Sequence, residues 1–265
     1  MRKKPKENKH SIPAQTVGRA VDLLRIIASS QSHNLKLIEI AAMADLDKST
    51  AQRLLTRLVH EKLLIRDTNR GYRLGPLLYE FGLAAFPENN IQEVSQGALR
   101  KLAKSTGDMV FLVIRSGMDS VCLNRIAGDY PIQTLTRTEG DRHPLGVGAG
   151  GLAILAGMHD ADIKTIIQSI NLRLPKYQLN EKKLWENIFD TRLNNHIAID
   201  RGTAALDVTA IGHPIYNKAH TPVAAVFVAS VSIRMNKNRQ EKIIQQLSAT
   251  AQSIENLLNG YSPHF

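Results

Sequence analysis

Residues 47–64, DKSTAQRLLTRLVHEKLL, place two different demands on one helix. Ala51, Leu54, Leu55, Leu58 and Val59 recur at i, i+3, i+4, i+7 and i+8, the spacing that gathers side chains into one buried stripe. The opposite face opens with short polar side chains and cations. Asp47 stands where its carboxylate can accept from the first free amides. The first turns then present Lys48, Ser49, Thr50, Gln52 and Arg53 outward, with Thr56 and Arg57 one turn on. Hydroxyl, amide and guanidinium groups at the start of a helix are the inventory that base edges in a DNA major groove require. Such a face on an isolated helix is more often simply solvated, so the neighbouring segments decide.

Upstream, Leu37–Ala44 (LIEIAAMA) repeats the apolar period over a shorter length, and Asp45-Leu46 supplies a tight turn into Asp47. Downstream, residues 64–74 (LIRDTNRGYRL) alternate like two strands about an Asn69-Arg70-Gly71 tip. Helix, turn, helix and hairpin make a winged helix-turn-helix. Arg70 and Arg73 on the wing can meet backbone phosphates or the minor-groove edge, or remain ordinary surface arginines. Ahead of the motif, Val17–Ala28 places Val17, Ala20, Val21, Leu24, Ile27 and Ala28 on one face as its first helix, leaving Arg19 and Arg25 solvated.

Composition agrees with this division. The chain has 265 residues, enough for two domains each with its own core. Its net charge of +10 is uneven: residues 1–88 hold 15 Lys/Arg against 9 Asp/Glu, and the longer remainder 19 against 15. A basic amino-terminal third favours a polyanionic partner there. One cysteine, Cys122, excludes an intramolecular disulfide and a cysteine-rich zinc site, and reads as a buried structural thiol. The start, MRKKPKENKH, lacks the apolar core of a signal peptide, and the longest apolar run, Pro222–Ile233, is about half a membrane span. A cytoplasmic protein is expected.

The expected organisation is a disordered basic tail over 1–14, a winged helix-turn-helix over 15–75, a linker helix over 76–90 and a second domain over 91–262. The tail can lie along phosphates or merely solubilise. Leu77–Phe86 is apolar nearly all round, which suits a linker helix that pairs with its copy in another subunit. Pro87-Glu88-Asn89-Asn90 then breaks the chain.

Beyond it the pattern predicts a helix over Ile91–Ser105, strands at Met109–Ile114, Ser120–Ile126 and Ile132–Thr138, and helices at Gly151–Met158, Asp160–Ser169 and Asn180–Asn194. The last strands are expected at Ala210–Tyr216 and Pro222–Ile233, and a closing helix over Asn236–Asn259. Hairpin-length turns between consecutive strands give an α+β domain, an antiparallel sheet covered by helices.

The segments GRAVDLL, IEIAAMADLDKSTAQRLLTRLV and GYRLGPLLYEFG resemble the DNA-binding half of the IclR family of bacterial transcriptional regulators, and the likeness extends over about residues 15–260. Asp45 departs from the family's usual turn glycine, but Asp tolerates a left-handed backbone better than most residues. The resemblance implies a GAF-like effector-binding domain. The stretch PLGVGAGGLAILA is similar to the family segment that opens the effector pocket. By position, Ala149 and Gly150 would offer backbone amides to a carboxylate, and His143, Ile132 and Leu135 would line the wall. Asp200 matches an acidic pocket position, although an ion pair with Arg201 is an equal alternative, and Ala210 lies on a pocket strand. Phe227 and Ala229 stand where some members have polar side chains, which points to a more apolar effector.

Gly146, Gly148 and Gly151 spell a literal GxGxxG, but no hydrophobic strand precedes it and no acidic residue ends a following strand, so a dinucleotide site is not expected. The histidines show no metal-ligand spacing, and no nucleophile elbow, P-loop or paired carboxylate stands out. The expectation is a homo-oligomeric, non-enzymatic regulator of a catabolic operon, dimer or tetramer, that needs no metal or cofactor. Its partners are operator DNA and a small organic acid, aromatic or longer-chain in keeping with the apolar pocket positions. An enzyme built on the second domain, and a second domain that only oligomerises, are the rivals.

Overall fold

The computed structural model describes residues 12–29, 34–85, 91–134 and 136–260. The chain divides into two units, Met1–Pro87 and Glu88–Phe265.

In the first unit, α1 (Ile12–Ser29), α2 (Leu37–Met43) and α3 (Lys48–His60) stand over a small antiparallel sheet of β1 (Leu35–Lys36), β2 (Leu64–Arg66) and β3 (Gly71–Leu74), in the order β1-β3-β2. The stripe on α3 goes inward: Ala51, Leu54, Leu55 and Leu58 are buried, and Leu54, Leu55 and Leu58 join a core with Leu23, Ile40, Leu64 and Tyr72. The turn between α2 and α3 takes the left-handed backbone expected of Asp45, at φ +52°. At the wing tip Arg70 is also left-handed, at φ +63°, and the Asp67 carboxylate accepts from the Gly71 amide at 2.8 Å. A final helix, α4 (Pro76–Ala85), leaves Tyr79, Phe81 and Leu83 exposed.

Three details of this unit depart from expectation. The two-residue strand β1, which pairs Leu35 with Tyr72, is too short to leave a period in the sequence. Of the expected tail, residues 1–11 lie outside the described residues, while Ile12–Ala14 already belong to α1. The face of α1 is also turned. Leu23 and Ile27 are buried and Ala20, Leu24 and Ile26 half-buried, whereas Val17 and Val21 are 64% and 37% exposed and Ala28 is exposed too. Apolar residues at 17-21-24-28 and at 20-23-24-27 are both helical stripes. Only packing on α2, α3 and β3 selects the second.

The second unit is built on a six-stranded antiparallel sheet. Its strands are β4 (Met109–Ser116), β5 (Asp119–Ile126), β6 (Arg142–Pro144), β7 (Ala198–Arg201), β8 (Val208–Tyr216) and β9 (Pro222–Val231), in the order β6-β5-β4-β9-β8-β7. Both faces are buried. Along β4, Met109, Phe111 and Val113 face one core with α6 (Gly148–Ala156), α7 (Asp160–Ile170) and α8 (Glu181–Leu193). Val110, Leu112 and Ile114 face a second core with α5 (Ile91–Thr106) and α9 (Lys237–Gly260). The period of two therefore chooses which helical layer a residue meets rather than inside against outside. Cys122 is buried in the first core, and burial pushes its thiol up to about 12.

The strand expected over Ile132–Thr138 does not form. That segment is irregular, with Leu135 outside the described residues, and it is held by its side chains: Thr134 Oγ1 donates to the Ala229 carbonyl at 3.0 Å and Arg137 turns inward. The sheet edge is taken instead by β6, where Ser120 pairs with His143. Strand β7, four residues long, was not anticipated and pairs Asp200 with Ala210. The Pro87–Asn90 break lies outside the described residues. Among the described residues no helix is long and apolar enough to cross a membrane.

Candidate functional site

Two places in the chain gather chemistry, one in each unit. The first is the outer face of α3. Asp47 precedes the helix with extended backbone, and its carboxylate accepts from the Thr50 amide at 2.8 Å and from Ser49 Oγ at 2.6 Å. The Ser49 hydroxyl, then the Thr50 amide, hold the Asp47 carboxyl well below its usual range. With the helix end closed by its own cap, Lys48, Ser49, Gln52, Arg53, Thr56 and Arg57 are exposed and Thr50 half-buried. Arg57 ion-pairs with Glu61 one turn on, and His60 Nδ1 lies 3.4 Å from the same carboxylate. On the wing, Arg70 and Arg73 are exposed, and Arg66, which the sequence did not single out, lies over the Tyr72 ring at 5.6 Å.

The second place is a cavity at the start of α6. Thr136, Arg137, Gly148, Ala149, Gly150, Asp200, Ala204, Ala205, Val208, Ala210 and Phe227 bracket about 300 Å³ of space not filled by atoms, narrow enough to admit little more than a water. Its floor is the sheet. Phe227 on β9 stacks on Phe111 with ring centroids 4.7 Å apart, and Ala210 on β8 lies beside Asp200 of β7. Helix α6 reaches this floor because two residues lack a Cβ. A Cβ on Gly150 would lie 2.7 Å from the Phe227 ring, and one on Gly212 would lie 2.7 Å from the Ala149 carbonyl oxygen. Val147 precedes α6 and offers no side-chain acceptor to its first amides.

Of the residues carried over for an effector, Ala149, Gly150, Asp200, Ala210 and Phe227 meet at this cavity. Ile132 does not: it is 59% exposed on the irregular segment that replaced the expected strand. His143 does not either. It sits on β6 with its ring 5.4 Å from that of Tyr177, and burial, then the nearby Arg137 charge, lowers its pKa to about 3. Ala229 is buried in the same core but does not line the cavity, and Leu135 lies outside the described residues. Asp200 accepts from the Ala204 amide at 3.3 Å rather than pairing with Arg201.

Arg137 was missed. Its guanidinium is buried, donating to Ser120 Oγ at 3.1 Å and to the Val147 carbonyl at 3.2 Å. In the run TLTRTEG nothing distinguishes it from a surface arginine. A wider cleft touching the other side of Asp200 is lined by Lys183, Asn187, Asp190, Asn194 and Arg201 among others, and opens to solvent. That cleft is the roomier of the two, but the cavity at α6 is where the apolar floor, the uncapped amides and the buried guanidinium converge. Among the described residues no cluster of His, Cys, Asp or Glu could hold a metal.

Comparison with known proteins matches both units. Residues 16–68 match the IclR helix-turn-helix domain, and residues 83–256 match the C-terminal domain of bacterial transcriptional regulator IclR. The chain is 24% identical over 250 residues to the HTH-type transcriptional regulator KipR of Bacillus subtilis, covering 94% of this chain and 98% of that protein. It is 25% identical over 250 residues to the HTH-type transcriptional regulator XynR of Escherichia coli, covering 93% and 98%. Among solved structures, an IclR regulator from Silicibacter sp. TM1040 superposes with a TM-score of 0.81 at 22% identity, over 94% of this chain and 98% of that one. An IclR homologue from Microbacterium hydrocarbonoxydans, solved in complex with 4-hydroxybenzoate, gives 0.72 at 18% identity over 93% and 100%. With both domain models matched in order along one chain, and relatives named as regulators rather than enzymes, this protein belongs to the IclR family of transcriptional regulators.

Proposed function

We propose that the chain regulates a catabolic operon by binding a specific operator through α3 and the wing, and that a small organic acid in the α6 cavity controls it. The observation that carries the DNA half is α3 itself. Its first turns expose Lys48, Gln52 and Arg53 above a buried stripe while Asp47 and not a ligand satisfies the helix end. Arg53 and Gln52 can then read base edges, with Lys48, Arg70 and Arg73 on phosphates. The apolar side chains exposed on α4, together with Val17 and Val21 on α1, support assembly as a homo-oligomer, since pairing would remove them from water. A dimer carries two recognition helices to half-sites about 34–36 Å apart on a pseudo-palindrome.

The effector half is supported by the uncapped amides, the Asp200 carboxylate and the apolar floor that converge at the head of α6, where side chains must part to admit more than a water, and by the structural neighbour solved with 4-hydroxybenzoate. For such an acid to regulate, it must bind the DNA-competent and incompetent arrangements with different affinity.

Fluorescence anisotropy with DNA from just upstream of the protein's own gene, against scrambled DNA over a salt series, tests the assignment. The expected result is preference for the native fragment, with log affinity falling linearly in log salt by roughly 0.9 per neutralised phosphate. Equal affinity for both DNAs at every salt, with and without acids that raise the melting temperature, would overturn it.

A further inference from the structure

The cavity contains a buried cation that no carboxylate of the described residues contacts directly, although Asp141 and Asp200 act on it at longer range. Arg137 is 3% exposed, and both of its hydrogen bonds run to neutral oxygens. Among the described residues no carboxylate comes within ion-pair distance of it. The contrast within the same unit is direct: Arg142, Arg192, Arg234 and Arg239 are all more exposed, and each meets a carboxylate. Burial lowers the Arg137 pKa, yet a guanidinium does not lose its proton in a protein near neutral pH, so the charge stays. Asp200, 7% exposed in the same cavity, accepts from the Ala204 amide and, among the described residues, has no cation within ion-pair distance; the Arg137 charge reaches it only at longer range. Two buried, oppositely charged groups face one cavity without pairing with each other. A ligand that supplies a counter-group to each satisfies both.

We propose that Arg137 selects the charge of the ligand, taking its carboxylate together with the free amides at the start of α6, while Asp200 accepts from a donor on the same molecule. This rests on the α6 cavity being the effector site. The ligand class is a compact acid bearing a hydroxyl or amino group. The Phe227 ring, 6.0 Å from the Arg137 guanidinium, and the methyl groups of Ala149, Ala205 and Ala210 supply the apolar contact. A neutral amide of the same shape leaves the guanidinium uncompensated and is rejected.

The test uses the full chain and the variants Arg137→Gln, Arg137→Lys and Asp200→Asn, each first checked for an unchanged melting curve. Each is titrated by calorimetry with two triads: 4-hydroxybenzoate, benzoate and 4-hydroxybenzamide, and glycolate, acetate and glycolamide. The wild type is expected to bind at least one hydroxy acid about tenfold or more tighter than its amide. Arg137→Gln should abolish that preference while leaving amide affinity unchanged, which a purely structural arginine would not do. Arg137→Lys should retain part of it, because the charge remains without the bidentate fork. Asp200→Asn should narrow the gap between the hydroxy acid and its deoxy partner.

A folded Arg137→Gln that keeps its acid affinity, or a wild type that binds amide and acid alike, would overturn the role of Arg137 and leave the cavity as a ligand site. If Arg137→Gln does not fold, unchanged acid affinity in Arg137→Lys overturns it equally. Binding of none of the six by wild type would instead sink the small-acid ligand and the effector site together.

Discussion

Helices α3 and α6 begin in opposite ways. At α3 the free amides are met from within the chain, by Asp47, and the helix stands in solvent with its information in the side chains. At α6 the preceding residue is a fully buried valine, all nine helical residues are buried, and the polar groups on offer are the backbone amides and the Arg137 guanidinium beside them. A capped, exposed helix can change its outward residues with little effect on the fold, so it can be tuned to an operator. An uncapped helix seated on a sheet has almost no such freedom, since even a Cβ at Gly150 collides with Phe227.

The contrast breaks most visibly at Gly150. Gly150→Val sets a Cβ 2.7 Å from Phe227 and 2.8 Å from Val113, and is expected to destabilise the C-terminal unit by about 3 kcal/mol in urea unfolding. An unchanged midpoint would mean that α6 can shift away from Phe227 and Val113 at little cost. Arg53→Ala, by contrast, should leave the melting curve alone and weaken the operator by about 1–3 kcal/mol, with much less effect on random DNA. Arg70→Ala should weaken all sequences alike and lower the salt slope by about 1. Equal losses on specific and random DNA for both variants would contradict the groove assignment.

Acid separates the two regions further. His143 stands just before α6 and is held neutral in the fold, with its pKa lowered to about 3 from 6.5. The unfolded chain therefore binds the extra proton first. Its contribution is fully present above pH 6.5 and is lost as pH falls toward about 3, at no more than about 1.4 kcal/mol per pH unit. The Asp47 cap is lost only below about pH 4, where its carboxyl would protonate in the unfolded chain. Unfolding followed unit by unit should show the C-terminal unit weakening first, and His143→Asn should flatten its profile between pH 6 and 5. The smallest effect is expected at Glu61→Gln, which frees Arg57 from its exposed ion pair and should strengthen DNA binding about twofold at low salt. Weaker binding would show that the pair positions Arg57 rather than competing with DNA for it.

Most of the first unit was legible because it rests on local rules. The α3 period, the Asp47 cap, the left-handed Asp45 and the hairpin at Arg70-Gly71 each follow from residues within a few positions. The inward face of α1 was not, since two apolar stripes compete on it and the neighbouring helices decide. In the second unit the long strands and helices could be read, but β7 and the short edge strand β6 could not. Three or four residues carry too little pattern, and the segment over 132–138 is rich in β-forming threonines yet is held by side-chain bonds from Thr134 and Arg137.

The sequence by itself determined a winged helix-turn-helix, a helix-covered antiparallel domain, the outward residues of α3, and a small-residue segment at the head of α6. All of these depend on spacing along the chain, which short-range sterics and hydrogen bonding convert directly into structure. Only the tertiary structure decided which of the carried-over residues meet at a cavity, that Ile132 and His143 stand apart from it, and that Arg137 is enclosed there without a carboxylate in ion-pair contact. Burial and charge pairing depend on groups far apart in sequence, such as Arg137, Val147, Asp200 and Phe227, and the sheet beneath them is what brings those groups together.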